Sequence, residues 1–412
     1  MPSLVTNMRG GFVAKEKLSD RKAKVFQMPR VQIQDSDLGI FEWEQIKEME
    51  FIREFLGSKK NLLDNIDEKT FKSVRFFLDM YTPLKKRIAS MGAELVTNAW
   101  LKIYEILGIF GNELVRPLED GKDGFSFFDA CSLPGAFSSA INHYIRTLRL
   151  DDIKQVDWKA ESLWNIEGEE FFGDDYGLVK ANPDNFDFGS TGTGDITQEE
   201  NIRYFRKKYG GRDLYISDCG IDVSADFNRQ ESLNGKLNCA QVLLGMSLIR
   251  KGGSVVFKTY TSFEASSISL RLILSSKFKK FYVVKPLTSR PGNSETYMVG
   301  IDFKGASEEF FTRMFEFLAY LDPENPETMK SGIVPQDKIP PKWLESHLQI
   351  SDNLTHQQVD ILDRFYKYRN GVDSKQQKLF WELKGKACNE WLKINTVSAI
   401  EDEWRLVPPE GN

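Results

Sequence analysis

No run of about 18 or more uncharged apolar residues occurs in this chain of 412, so a membrane-crossing helix is not expected. Cysteine is scarce, with only Cys131, Cys219, Cys239 and Cys388, and no two of them form a C-x-x-C pair. Histidine is scarcer still, at His143, His347 and His356. A zinc centre therefore has almost no ligands to draw on, and no metal is expected. The four thiols read as buried and reduced, and the compartment as a reducing one. The opening stretch MPSLVTNMRGGFVAKEKLSDRK lacks the apolar core of a secretory signal, which points to the cytoplasm. Two common nucleotide fingerprints, G-x-G-x-x-G and G-x-x-x-x-G-K-[ST], are missing, so neither a dinucleotide fold nor a P-loop is supported. A surplus of positive charge is also missing. Lys plus Arg is 55 against 60 for Asp plus Glu, a net charge of -5, which argues against a protein that coats nucleic acid. A local basic groove stays open. Its candidates are Arg203, Arg206, Lys207, Lys208 and Arg212, and then Lys277, Lys279, Lys280, Lys285 and Arg290, each of which could equally be a solvated surface.

What is present is ordinary for a globular chain of two or three domains, with 41% hydrophobic and 28% charged residues. Residues 1–30 read as a polar arm. Residues 41–102 carry apolar residues every three or four positions, the mark of amphipathic helices. From 103 to 305 the pattern changes. FSFFDA, LYISDC, SVVFKTY, KFYVVKP and TYMVGID read as strands, with helical segments between most of them. That alternation indicates an α/β domain with a mostly parallel sheet. The last two strands are separated only by LTSRPGNSE, which predicts an antiparallel hairpin at one end of that sheet. The segment 151–198 gives no clear reading. Residues 306–412 look helical again, and a proline-rich stretch at 322–343 reads as a boundary or an extended surface crossing. The division expected is a helical region over 1–94, an α/β domain over 95–305 and a helical region over 306–412.

Four charged residues stand at telling places. Asp218 follows the strand LYIS, Lys258 follows SVVF, Glu295 precedes TYMVG, and Lys102 lies on the helix before the first strand. In a parallel sheet, functional groups collect at the C-terminal ends of strands. Without further context the same residues could be two lysine–carboxylate pairs stapling strand ends. FSFFDACSLPGAFSSAINHYI reads as strand, tight turn and helix, in which small residues let backbone approach a ligand and the helix start offers free N–H groups. The loop GSTGTGDIT ends on Asp195 and Ile196. Thr197 with Glu200 three residues later reads as a capping box, which alone would account for Thr197.

In order along the chain, VTNAWLKIYE, FFDACSLPGAF, GTGDIT, DCGIDVS, GGSVVFKTY and KPLTSRPGNSETYMVG resemble the motifs of the FtsJ-like ribose 2'-O-methyltransferases. The likeness covers residues 95–305, about half of the chain. The helical flanks look more like those of members from large DNA viruses than those of the bacterial ribosomal-RNA enzymes. This resemblance implies a Rossmann-like α/β methyltransferase core with helical N- and C-terminal flanks, and S-adenosyl-L-methionine as cofactor. It places the catalytic set on Lys102, Asp218, Lys258 and Glu295. It places cofactor contacts on Asp129, Ser132, Pro134, Gly135, Ala136, Phe137, Asp195, Ile196 and Asp218, with Asp195 on the adenine amine and Ile196 against the ring. Ala136 departs from the family's second turn glycine and Leu133 from a position often small, so a conventional backbone is expected at Ala136.

Ribose methylation needs the hydroxyl oxygen in line with the methyl group and a place for its proton. Lys258 is the residue expected to orient and deprotonate the hydroxyl, with the two acids fixing ammonium geometry. Tyr260, Phe263 and Tyr297 could stack on a nucleotide or simply fill the core. Ser289, Arg290 and Ser294 could face substrate or hold the hairpin loop. The implied activity is RNA ribose 2'-O-methylation, cap-specific and on the first transcribed nucleotides of mRNA. The expected partners are capped RNA and the capping or transcription machinery, with no membrane; a viral source would place the chain in the host cytoplasm or the virion. A ribosomal- or transfer-RNA enzyme, and a non-catalytic RNA-binding subunit of the same fold, stand as alternatives.

Overall fold

Strand sequences such as Phe125-Ser-Phe127-Phe128-Asp-Ala130 send successive side chains to opposite faces, so each strand can feed two cores at once. In the computed structural model, which describes residues 23–117, 123–164, 173–221, 223 and 227–408, that is what happens. Phe125 and Phe127 join Leu214, Ile216 and Val256 beneath the helices Asn98–Leu114 and Ala136–Leu148. Phe128 and Ala130 join Tyr215, Val255 and Phe257 beneath the helices Glu199–Tyr209, Gly235–Leu248 and Ala265–Lys277.

Nine strands are described: β1 (Lys24–Gln27), β2 (Phe41–Glu42), β3 (Gly124–Ala130), β4 (Gln155–Ala160), β5 (Arg212–Ser217), β6 (Ile249–Thr259), β7 (Phe278–Lys285), β8 (Thr296–Phe303) and β9 (Ser331–Gly332). Seven form one sheet in the order β1-β7-β8-β6-β5-β3-β4. β4, β3, β5 and β6 run parallel, and β8 is antiparallel to β6 and β7. This is a Rossmann-like α/β core with helical flanks. From β3 the chain goes first to β4 on one side and later to β5 on the other, so the topological switch point lies between β3 and β5.

Three sequence expectations change. The arm expected over 1–30 lies mostly outside the described residues, but its end is β1, which pairs with β7 in register from Lys24↔Lys285 to Gln27↔Tyr282. The hairpin β7–β8 is therefore not the sheet's edge. The unread segment contains β4, missed because Gln155–Ala160 alternates around one large apolar residue, Trp158, with charged neighbours. The proline-rich stretch is not a surface crossing. Met329, Ile333 and Val334 are fully buried, Ile333 N–H donates to Ser269 Oγ at 3.1 Å, and β9 pairs with β2. Those apolar residues between the prolines outweigh the solvent preference of Pro, Asp and Lys.

The helical flanks pack on each other as well as on the core. Lys47–Asn61 and Glu68–Leu78 meet the long helix Pro341–Lys367, and Glu68–Leu78 also meets Ser374–Ile394. Among the described residues no helix is long and apolar enough to cross a membrane.

Candidate active site

Lys102 lies in the first turns of the Asn98–Leu114 helix, which Thr97 caps by accepting from Trp100 N–H at 3.4 Å. Its Nζ reaches Glu295 Oε2 at 2.8 Å, and both side chains are only 8% exposed. Lys258, next to last in β6, donates to the Asp218 carbonyl at 2.6 Å and lies 3.4 Å from Asp218 Oδ1, with side-chain exposures of 11% and 21%. Tyr297 O–H donates to Asp218 Oδ1 at 2.8 Å, and Lys102 Nζ sits 5.9 Å from the centre of the same tyrosine ring. The fold thus brings the four charged residues singled out in the sequence into two linked ion pairs at one end of the sheet.

The surroundings hold this set still. Glu295 Oε1 accepts from Ser289 Oγ at 3.0 Å. Lys285, at the end of β7, donates to the Glu295 carbonyl at 2.6 Å and to Asn293 Oδ1 at 2.7 Å. Burial pushes the Glu295 carboxyl up, but Lys102, Lys258 and Lys285 outweigh it and hold it well below the usual carboxylate range. Burial lowers the Lys285 ammonium to about 8, against the pull of Glu295. Glu105, one turn beyond Lys102, accepts from Leu287 N–H at 2.8 Å and Thr288 Oγ1 at 2.9 Å, which fastens the loop carrying Ser289 to the lysine's helix. Sequence reasoning missed Lys285 and Glu105 in these roles. The three-residue spacing from Lys102 and the strand-end place of Lys285 were the available signals.

The turn read in the sequence as cofactor-binding follows β3. Asp129 Oδ2 accepts from Ser132 Oγ at 2.8 Å, Ser138 Oγ at 2.7 Å and Ser138 N–H at 3.1 Å, while Oδ1 is buried without a partner among the described residues. Burial raises Asp129 to about 7 despite those donors. Pro134 follows a cis peptide bond. Gly135 has φ of 101°, a left-handed backbone that favours glycine, and a Cβ there would lie 2.2 Å from Leu178 Cδ2, so that buried side chain would have to shift to admit one. Ala136 begins the following helix with ordinary backbone and is buried, and Phe137 is buried beside it with its ring 6.1 Å from that of Tyr297.

Glu161, immediately after β4, was not singled out in the sequence. It is fully buried; Oε1 accepts from Cys131 N–H at 2.8 Å and Oε2 has no partner among the described residues. Burial lifts it well above the usual carboxylate range, and Asp129 and Asp195 add to the rise. Its signal was a lone acid ending a short alternating run, mirroring Asp129 near the end of β3.

Asp195 caps its own loop: Oδ1 accepts from Thr197 N–H at 2.8 Å and Thr197 Oγ1 at 2.7 Å, and Oδ2 from Gln198 Nε2 at 3.1 Å. The Thr197–Glu200 capping box does not form, because the helix starts at Glu199 and the aspartate has taken the threonine's donors. Ile196 is buried in the core that includes Phe205. A Cβ at Gly194 would fall 1.8 Å from the Ser162 carbonyl, so this loop presses directly on the segment after β4. Tyr297 and Tyr260 are buried.

Two of the expected free thiols are joined. Cys131, just after β3, forms a disulfide with Cys219, just after β5, across the switch point; Cys239 and Cys388 are free and buried. The 88-residue separation hid this pairing, because only the sheet order makes β3 and β5 neighbours. Among the described residues no cluster of three or more metal-ligating side chains occurs.

Residues 95–303 match the FtsJ-like methyltransferase family. The chain belongs to that family. It is 35% identical over 267 residues to the probable methyltransferase EP424R of African swine fever virus, covering 61% of this chain and 60% of that protein. It is 32% identical over 336 residues to the uncharacterized protein L511 of Acanthamoeba polyphaga mimivirus, covering 79% of this chain and 40% of the other. With the cap-specific mRNA (nucleoside-2'-O-)-methyltransferase 2 of Danio rerio it shares 28% identity over 360 residues, 85% of this chain and 47% of that protein. The chain thus matches between 40% and 60% of the length of these relatives.

Proposed function

We propose that this chain transfers a methyl group from S-adenosyl-L-methionine to the 2'-hydroxyl of a ribose in RNA, and that its substrate is the first transcribed nucleotides of capped mRNA. The observation that carries the reading is the convergence of Lys102–Glu295 and Lys258–Asp218 beside a cofactor turn. Family membership and the cap-specific relative favour the RNA ribose as acceptor. A cytoplasmic location, the host cytoplasm or virion for a viral chain, goes with this reading, as does contact with capping or transcription machinery.

The cradle fits the cofactor. Two carboxylate oxygens, Asp129 Oδ1 and Glu161 Oε2, lie at the ends of adjacent strands without partners among the described residues, and a buried acid gains by meeting donors such as ribose hydroxyls or an ammonium. Ser132, Pro134, Gly135, Ala136 and Phe137 shape the turn against the ligand, with Asp195 and Ile196 on the adenine side. S-adenosyl-L-methionine supplies an electrophilic methyl group when bound. Lys258, as the neutral amine, would orient the ribose hydroxyl and take its proton as the oxygen bonds to the methyl carbon and the carbon–sulfur bond breaks, the electron pair leaving on sulfur. Asp218, itself held by Tyr297, would hold the ammonium that results, while Glu295 pins Lys102 and offsets part of the lysine charge.

Calorimetry with S-adenosyl-L-methionine, run beside a tritiated methyl-transfer assay on capped and uncapped RNA, tests the whole reading. Binding with transfer to a ribose 2'-hydroxyl of capped RNA is expected. Transfer to uncapped RNA at the same rate would remove the cap from the proposal, and no binding would overturn it.

A further inference from the structure

The basic patches picked out in the sequence are largely neutralised. Arg203 pairs with Glu199, Arg206 with Glu308, Lys208 with Asp187, Lys277 with Asp35, and Lys280 with Glu113. One member of the second patch, Arg290, is not, and two cations outside the patches join it. Among the described residues Arg75, Lys85 and Arg290 have no ion pair with any carboxylate. They belong to different parts of the chain, since Arg75 and Lys85 lie on helices of the N-terminal flank and Arg290 on the loop between β7 and β8.

Packing brings them together. Arg75 lies over the Phe71 ring, 5.8 Å from its centre, and Phe71 stacks on Phe365 at 5.0 Å. Phe365 also lies against Gly292, two residues after Arg290, and Gln358 Nε2 donates to the Gly292 carbonyl at 2.8 Å, which fixes that loop on the same helix. Arg75 and the Arg290 loop thus flank one aromatic stack. The nearby carboxylate is Asp79, four residues beyond Arg75; its Oδ1 accepts from Tyr81 N–H at 3.0 Å, and Leu84 N–H donates to the Tyr81 carbonyl at 2.9 Å, so this turn sets Lys85 at the start of the next helix. Lys85, Arg290 and the buried Lys384 all act on the Asp79 charge, and Lys384 itself is spent on the Phe76 and Asp79 carbonyls. Burial and then Arg290 depress the Arg75 guanidinium, as expected of like charges held close. Positive charge left uncompensated, in a chain of net charge -5, calls for an anionic partner.

We propose that Arg290, Arg75 and Lys85 form a phosphate clamp that guides single-stranded RNA to the tetrad, with the N-terminal flank supplying two of its three cations. Arg290 follows Ser289, whose hydroxyl is bonded to Glu295, so the clamp begins at the rim of the reacting groups. A strand reaching the tetrad past Arg290 would bring its phosphates to these cations, and guanidinium groups bind phosphate through paired N–H donors. The inference rests on the chain acting on RNA.

The test is fluorescence anisotropy with a labelled single-stranded RNA of about 12 nucleotides, between about 50 and 200 mM salt, since each phosphate contact adds about 0.7 to the salt slope on single strands. The full-length Arg75→Gln/Lys85→Gln variant is expected to lose about 1.4 from that slope. Its S-adenosyl-L-methionine affinity should match the wild type. Lys85→Gln alone, away from the aromatic stack, should lose about half as much, which guards against a folding defect in the double variant. An unchanged slope in both variants overturns the clamp. So does displacement of the RNA by polyglutamate at equal charge, which would mark a site for acidic protein. Loss of slope in the variants, with a wild-type chain that methylates no RNA, would leave the clamp standing and remove the proposed activity. Full methylation with unchanged slopes would do the reverse.

Discussion

The two ends of the site treat their carboxylates in opposite ways. At the tetrad, Glu295 is buried yet held ionised, because three lysines and the Ser289 hydroxyl surround it. At the cofactor end, Asp129 and Glu161 are equally buried, lack any cation partner, and each leave one oxygen unpaired among the described residues. The first arrangement is complete in itself and fixes geometry before substrate arrives. The second is incomplete, and an unpaired buried acceptor costs about 1–3 kcal/mol until a donor reaches it. On the proposed reading, the complete network positions and the incomplete one binds. The Cys131–Cys219 disulfide spans the boundary between the two, from the turn after β3 to the residue beside Asp218.

The sharpest way to break this contrast is Lys258→Ala. It removes the group proposed to face the hydroxyl but leaves Asp129 and Glu161 untouched. Methyl transfer should fall by about 10²–10⁴-fold, the usual worth of a positioned proton acceptor, with cofactor affinity near normal. Transfer at the wild-type rate would show that the tetrad holds structure only.

Asp129→Asn tests the incomplete end. Without cofactor, folded Asp129 keeps its proton up to about pH 7, whereas an unfolded aspartate releases it near pH 4. Between those values the folded state binds the extra proton, so this group's contribution to stability is present below about pH 4 and is lost as pH rises towards 7. The asparagine variant has no such titration. Its stability relative to the wild type should rise by up to a few kcal/mol between about pH 4 and 7, as measured by urea unfolding of the cofactor-free proteins. Cofactor affinity should drop roughly tenfold or more, since the orphaned acceptor is lost. Parallel pH profiles for the two proteins would mean that Asp129 is not the protonated acid that its burial implies.

Much of this was legible in the sequence for a specific reason. The strands of the parallel core carry continuous or alternating apolar runs, and Asp218 and Lys258 sit at their C-terminal ends, where a one-dimensional pattern marks a three-dimensional place; Glu295 precedes the antiparallel β8 and Lys102 lies on a helix. β4 and Glu161 were not legible, because an outer strand with one large apolar residue looks like a loop, and the acid after it gains meaning only beside Asp129. The disulfide and β1 depend on which strands become neighbours, a property of sheet order that local periodicity does not encode. Arg290 was visible in the sequence as part of a basic patch, but its grouping with Arg75 was hidden for the same reason: charge runs are visible in a sequence, whereas which cations meet, and whether a carboxylate answers each one, is decided by packing.

The mildest effect is expected at Asp195, a carboxylate of the cofactor end that behaves like the tetrad end. Its oxygens already accept from Thr197 and Gln198, and its carbonyl accepts from Asn201 Nδ2 at 2.9 Å. A satisfied acid can still receive one more donor from an adenine amine, because a carboxylate has about four lone-pair sites. Replacing it with alanine therefore removes one shared contact and loosens a loop that Gly194 keeps pressed on Ser162. Affinity for S-adenosyl-L-methionine should weaken by about 1 kcal/mol, severalfold in Kd, while RNA affinity is unchanged. Calorimetry reads both. Unchanged cofactor affinity would confine Asp195 to capping the loop, and a loss as large as that of Asp129→Asn would mean that hydrogen-bond satisfaction does not separate positioning acids from binding ones in this site.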